Sequence, residues 1–201
     1  MSDIAMRKIR FYYDIVCPYS YMESRAVEAA EDAGEVEVEW LPFELRPAPK
    51  ALLEPRGDHL RVDWTRHVYR RALERGVEIH LPRYQPRSTL VLAACLWAGD
   101  EGALRPFKHA LYEAFFCEGE DIATDPEIRR AAARVDLDPD AAIAAAYSPD
   151  RIAQIASIRR EAEAAGIRGV PSLLAANGES HWGMGGLERL LAGEPLVPRT
   201  H

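Results

Sequence analysis

Residues 8 to 40 alternate, coil and alternate again, and that order restricts the chain more than any other feature. From Lys8 to Tyr13 the apolar Ile9, Phe11 and Tyr13 alternate with Lys8, Arg10 and Tyr12, the period-two pattern of a strand with one face on a core. From Pro18 to Ala33 the small and apolar Met22, Ala26, Ala29, Ala30 and Ala33 recur three and four residues apart, and Gly34 stands where a helix C-cap belongs. Val36, Val38 and Trp40 then alternate with Glu35, Glu37 and Glu39. Strand, helix and strand at this length form a βαβ unit, whose right-handed crossover makes its strands parallel. The first strand gives way to the helix at Asp14-Ile15-Val16-Cys17-Pro18-Tyr19-Ser20-Tyr21. Cys17 therefore stands at the carboxyl end of a strand, where ligands bind in open α/β sheets. It also stands at a helix start, where unpaired N–H groups and the helix dipole favour a thiolate. Pro18 suits the first helical position, since its missing N–H is not needed there.

Pro42, Pro47, Pro49 and Pro55 interrupt this pattern, and the composition beyond them turns rich in Ala, Arg and Leu. The periodicity predicts helices over Arg61–Arg75, Thr89–Ala98 and Leu104–Cys117, stopping at or near Gly76, Gly99 and Gly119. Asp125-Pro126, Asp138-Pro139 and Ser148-Pro149 each read as an N-cap followed by a first-turn proline, opening helices to Val135, Ala146 and Ala165. Strand signals return at Val170–Ala176 and Glu179–Trp182, joined by Asn177-Gly178, which predicts a type I′ hairpin turn. A short helix follows from Leu187 to Leu191. The expected fold class is α/β: a βαβ…ββα domain made of residues 7–57 and 167–197, interrupted by an all-helical insertion over 58–166.

Among the cysteines, Cys95 lies on the apolar face Leu90–Trp97 and reads as core. Cys117 is followed by Glu118, Glu120 and Asp121, whose charges oppose a thiolate. Three cysteines at irregular spacing resemble neither a disulfide framework nor a zinc site. A net charge of −7 disfavours nucleic acid and anionic lipid as partners, although Arg46, Lys50 and Arg56 form a local positive rim after the second strand. The first residues lack a signal-peptide pattern, and no stretch approaches the roughly 20 apolar residues that span a bilayer. The expectation is a soluble, cytoplasmic protein without a membrane partner. His181 reads as solvated at its strand end and Trp182 as core. Asp14 reads as an acceptor for local backbone groups.

Three segments carry a family resemblance: Asp14-x-x-Cys17-Pro18-x-Ser20-Tyr21, Phe43-Glu44-Leu45-Arg46-Pro47, and Gly166-Ile167-x-Gly169-Val170-Pro171. Together they resemble the DsbA-like thioredoxin-fold superfamily, with FrnE-like oxidoreductases closest, then 2-hydroxychromene-2-carboxylate isomerases and kappa-class glutathione transferases. The resemblance implies a thioredoxin-like domain with a helical insertion. It makes Cys17 the attacking residue and Pro171 a cis-proline, with Val170 offering backbone hydrogen bonds to a peptide or glutathione. Pro18 and Tyr19 join the substrate-binding set. The oxidoreductases carry Cys-x-x-Cys where this chain has Ser20, and the isomerases and transferases carry Ser-Pro-x-Ser where it has Cys17. A serine cannot resolve a mixed disulfide, so this reading is monothiol chemistry: Cys17 attacks, Ser20 supports its thiolate, and an external thiol such as glutathione finishes the reaction. No permanently bound cofactor is expected, and several relatives would suggest a homodimer. A glutathione-dependent isomerase or transferase and a non-catalytic binding scaffold are the alternatives. The glutathione-using relatives carry an acidic or hydroxyl side chain in the last loop, where this chain has Gly183-Met184-Gly185-Gly186.

Overall fold

The computed structural model describes residues 6–196, so Val197, the last residue of the expected thioredoxin-like domain, lies outside the described residues. Two compact units emerge: one takes the chain up to Phe43 and again from Ile158, and the other is Glu44–Ser157.

The first unit holds β1 (Arg7–Tyr13), α1 (Pro18–Asp32), β2 (Val36–Pro42), β3 (Ser172–Ala175), β4 (Ser180–Trp182) and α9 (Gly186–Leu191). The sheet order is β2-β1-β3-β4. β1 pairs parallel with β2, Ile9 opposite Val38, and antiparallel with β3, Phe11 opposite Leu173. The register sets Ile9, Phe11, Tyr13, Val36 and Leu173 on one face, and all five are buried. Phe11 and Tyr13 also meet Trp40 edge-on, with ring centroids 5.1 and 6.2 Å away. Such pairs add about 0.5–1.5 kcal/mol each beyond area burial. On the other face Lys8 and Arg10 pair with Glu37 and Glu39 at 3.2 and 2.8 Å, exposed contacts worth about 0–1 kcal/mol each. Tyr12, expected on this polar side, is buried instead. The alternation therefore fails at the carboxyl end of β1, where both faces of the sheet are covered.

The hairpin differs from the expected type I′ turn. Gly178 has φ +87°, but Asn177 is not among the described residues with positive φ, which a type I′ turn would require. Gly178 N–H donates to Ala175 O at 2.9 Å, and Ala175 N–H to Glu179 O at 2.8 Å. The loop is thus a three-residue turn with Gly178 in the left-handed position, and Asn177 Oδ1 accepts from Glu179 N–H at 3.0 Å.

The second unit is helical: α2 (Asp58–Asp63), a π-helical turn Trp64–Val68, α3 (Tyr69–Arg75), α4 (Thr89–Asp100), α5 (Leu104–Glu113), a second π turn Ala114–Glu118, α6 (Asp125–Arg134) and α7 (Pro139–Ala146). The unit boundary falls inside α8 (Pro149–Ala164). The helix expected from Arg61 starts earlier, at Asp58, with Gly57 as N-cap and the Asp58 charge in its first turn. Asp138 Oδ1 caps α7 by accepting from Asp140 and Ala141 N–H groups at 2.8 and 3.3 Å. Asp125 does not cap α6, because Thr124 takes the extended N-cap conformation. Asp125 lies one residue inside and accepts from the Tyr147 hydroxyl at 2.8 Å. Arg46 and Lys50 donate to Ala51 O and Leu45 O at 3.0 and 3.1 Å, exposed contacts that brace their own loop.

Candidate active site

β1 ends at Tyr13, and Asp14 turns the chain. The Asp14 carbonyl accepts the Cys17 N–H at 3.1 Å and its Oδ1 accepts the Val16 N–H at 3.3 Å, a local turn of the kind aspartate favours. Cys17 thereby becomes the N-cap of α1, with φ −97° and ψ 114°, and Pro18 the first helical residue. The Cys17 carbonyl accepts the Tyr21 N–H at 3.1 Å, which opens the helix.

The buried face of α1 keeps only part of the small and apolar stripe that the spacing suggested: Met22 and Ala30 are buried and Ala26 is half-buried. Ala29 and Ala33 are exposed, whereas Ser20, Glu23, Ser24, Val27 and Glu28 are buried. Alanine suits the solvent side because it favours helix without needing a partner. Of the polar side chains that go inward, Ser20 and Glu23 meet backbone N–H groups of Asp14 and Gly185.

Ser20 shows the arrangement. Its side chain is wholly buried and its Oγ accepts the Asp14 N–H at 3.4 Å. The hydroxyl proton remains for Cys17 Sγ, towards which the Ser20 and Tyr19 N–H groups also act. Burial nevertheless dominates: with a smaller push from the Asp14 charge it outweighs the hydrogen bonds from Ser20 and Tyr19 that favour the anion, and leaves the Cys17 thiol raised to about 11. The helix-start position alone had suggested a thiolate. With 4% of Cys17 exposed, desolvation outweighs the three donors and the resting group is a thiol. That thiol donates to Val170 O at 3.5 Å.

The Val170–Pro171 peptide is cis, and both residues are buried. Pro171 O accepts the Gly183 N–H at 2.8 Å, and the Ser172 hydroxyl donates to Gly169 O at 2.7 Å. Gly169 has a steric reason: a Cβ there would lie 2.8 Å from the Trp182 indole. Trp182 is half-buried, and so is His181, whose ring stands against Gly186 instead of projecting into solvent. His181 Nε2 lies 3.2 Å from Met184 O.

Glu23 is a residue of the site that no sequence pattern singles out. It is buried, and its Oε1 accepts the Gly185 N–H at 3.0 Å, tying α1 to the start of α9. An acid within an Ala- and Glu-rich helix carries no local signal of such a contact. The structure therefore brings Cys17, Ser20, Tyr19, Val170 and Pro171 together, with Pro18 and Tyr19 half-buried. Cys95 is buried, and Cys117 Sγ donates to Glu78 O at 3.4 Å.

Comparison with known proteins agrees with this fold. The family model described as DSBA-like thioredoxin domain matches residues 8–192. Uncharacterized protein YwbO of Bacillus subtilis (strain 168) is 32% identical over 133 residues, which span 65% of this chain and 66% of that protein. Among solved structures, the probable DsbA oxidoreductase SCO1869 of Streptomyces coelicolor superposes with a TM-score of 0.75 at 20% identity, covering 97% of this chain and 94% of its own. The cytosolic disulfide reductase DsbM of Pseudomonas aeruginosa gives 0.68 at 21% identity, covering 87% of each chain, and has also been solved with GSH. At these identities the structural likeness speaks for the fold alone.

Proposed function

The chain belongs to the DSBA-like thioredoxin domain family, and from that premise we propose that it is a monothiol thiol-disulfide oxidoreductase acting through Cys17. The observation that carries the proposal is the set of donors around one sulfur: the Ser20 hydroxyl and the Ser20 and Tyr19 N–H groups all favour the Cys17 anion. No second thiol stands at position 20 to compete for a mixed disulfide.

At rest Cys17 is a thiol bonded to Val170 O. On reaction it loses its proton to solvent, and the thiolate attacks one sulfur of a substrate disulfide. The Cys17–substrate bond forms as the substrate S–S bond breaks, and the departing thiolate takes up a proton. An external thiolate, of the class of glutathione, then attacks the substrate sulfur of the mixed disulfide. Cys17 leaves as thiolate and regains its proton, and substrate and external thiol depart joined by a disulfide. Ser20 supplies no sulfur, and its part is to hydrogen-bond the anion in both steps. A thiolate of high pKa is intrinsically the stronger nucleophile, which offsets part of its scarcity. Tyr19, Pro18, Val170 and Pro171 line the approach to the sulfur and form the substrate contact. We place this chemistry in a reducing, cytoplasmic setting with glutathione as co-substrate, a reading supported by three free cysteines and by the fold shared with DsbM.

Incubation with oxidised glutathione and intact-mass spectrometry test it. Wild type should gain one glutathione on Cys17, Cys17→Ala none on that peptide, and Ser20→Cys should release the adduct by closing an internal disulfide. A wild-type protein left unmodified at Cys17 by glutathione disulfide and by a neutral small disulfide alike would overturn the proposal. The burial of Cys17 and its raised pKa favour a second reading, a binding scaffold that has lost redox chemistry. That negative result is the one a scaffold gives.

A further inference from the structure

Of the basic residues in the segment after β2, Arg46 and Lys50 are spent on their own loop, but Arg56 is not. Arg56 and Pro55 form one wall of a surface cleft of about 350 Å³, and Leu81, Pro82, Arg83 and Tyr84 form the other. All six residues belong to the helical unit. That volume lies within the range of small-molecule sites.

The cleft is a site of unbalanced charge. Neither Arg56 nor Arg83 makes an ion pair or hydrogen bond with another described residue, and no carboxylate lines the cleft. Two acids close by in sequence already hold a cation of their own: Asp58 pairs with Arg61 at 3.8 Å and Glu118 with Arg134 at 2.8 Å. In a chain of net charge −7, a concavity lined by two arginines and by no carboxylate marks a place for an anion.

The walls are fixed. The Tyr69 hydroxyl accepts the Leu81 N–H at 3.3 Å and Pro82 is buried, so the Leu81–Tyr84 strip is anchored from behind. The Arg83 side chain lies alongside Gly119, its Nε 3.8 Å from where a Cβ of that residue would stand, an ordinary van der Waals contact. On the opposite wall the Glu54–Gly57 turn closes with Gly57 N–H donating to Glu54 O at 2.9 Å and carries Arg56. Leu81, the two prolines and the exposed ring of Tyr84 supply an apolar lining.

We propose that this cleft binds a small phosphate monoester, its headgroup between Arg56 and Arg83 and its apolar body against Tyr84, Leu81 and Pro55. Two guanidinium groups match a dianion, and each presents a planar fork of donors suited to phosphate oxygens. A monocarboxylate would leave one arginine without a counter-charge. The rings and prolines require a body attached to the phosphate, which bare phosphate lacks.

Calorimetry at low ionic strength on the whole chain tests the assignment with phenyl phosphate, inorganic phosphate and benzoate. Phenyl phosphate should bind one to one, with benzoate at least tenfold weaker and inorganic phosphate weaker than phenyl phosphate. Arg56→Gln and Arg83→Gln should each weaken phenyl phosphate at least tenfold. Both side chains are exposed, and far-UV circular dichroism verifies that the variants fold. Tyr84→Ala should weaken phenyl phosphate while leaving inorganic phosphate unchanged. Absence of binding at millimolar phenyl phosphate, equal binding of benzoate, or indifference to both arginine substitutions would overturn it.

Discussion

Replacing Ser20 by alanine should make Cys17 still harder to ionise, by an amount that follows from its surroundings. Burial takes the Cys17 thiol from an ordinary 9.0 up to about 11 even with Ser20 in place. A rise of that size means roughly a hundredfold less thiolate at neutral pH than an exposed cysteine carries. The Ser20 hydroxyl has one proton to give and, with Asp14 N–H already donating to its oxygen at 3.4 Å, that proton is directed to sulfur. A hydrogen bond to a charged group contributes about 1.5–3 kcal/mol, so Ser20→Ala should cut the thiolate fraction by a further factor of roughly 10 to 100. The assay is iodoacetamide alkylation from pH 8 to 11, read by mass spectrometry on the Cys17 peptide alone. Wild type should show a rate that climbs with pH towards a midpoint near 11, and Ser20→Ala should shift the whole profile to higher pH. Because the substitution also removes the acceptor for Asp14 N–H, circular dichroism must show a folded variant. Matching profiles for the two proteins, or a wild-type midpoint below 8.5, would refute the reasoning.

The same burial makes stability depend on pH, with a definite sign. A thiol whose folded pKa is raised stabilises the fold fully below its unfolded value, and that contribution is lost as pH climbs from about 9 to about 11. Urea unfolding of wild type against Cys17→Ala at pH 7, 9 and 11 should show wild type losing about 2 kcal/mol more than the variant across that window; parallel losses would contradict the assignment. Gly169→Ala should destabilise the first unit by about 1–3 kcal/mol, since its new methyl group would lie 2.8 Å from Trp182. Thermal unfolding followed by near-ultraviolet dichroism would register both the loss and the displaced indole, and an unchanged midpoint would count against the packing described.

Much of this could be read from residues that act locally. The period of Lys8–Tyr13, the proline after Cys17 and the aspartate at 138 each obey a rule confined to a few neighbours, and β1, α1 and the α7 cap follow. What escaped depends on residues far away in the chain. Tyr12 is buried because the sheet is covered on its second face at that end, which a strand pattern cannot report. Glu23 turns inward because Gly185, 162 positions along the chain, presents an N–H group to it, whereas an apolar count passes over an acid on that face. The Asn177-Gly178 pair signalled a hairpin correctly but not its length, because a glycine in the left-handed position serves two loop geometries. At the site, sequence placed the sulfur at a helix start and so argued for an anion. The burial that reverses that argument comes from the whole fold around Cys17.

The hydrogen bond from Cys17 to Val170 O joins residues 153 positions apart, and the partner strand of β1, beginning at Ser172, lies as far along the chain. On a ribosome adding about 5–20 residues per second, roughly 8 to 30 s separate the synthesis of the cysteine from that of its acceptor. For that interval the sulfur has neither its carbonyl partner nor the antiparallel neighbour of its strand. The nascent protein thus carries Cys17 as a bare thiol, open to whatever oxidants and thiols surround it, and acquires its shielded cysteine only once Val170 and β3 have emerged.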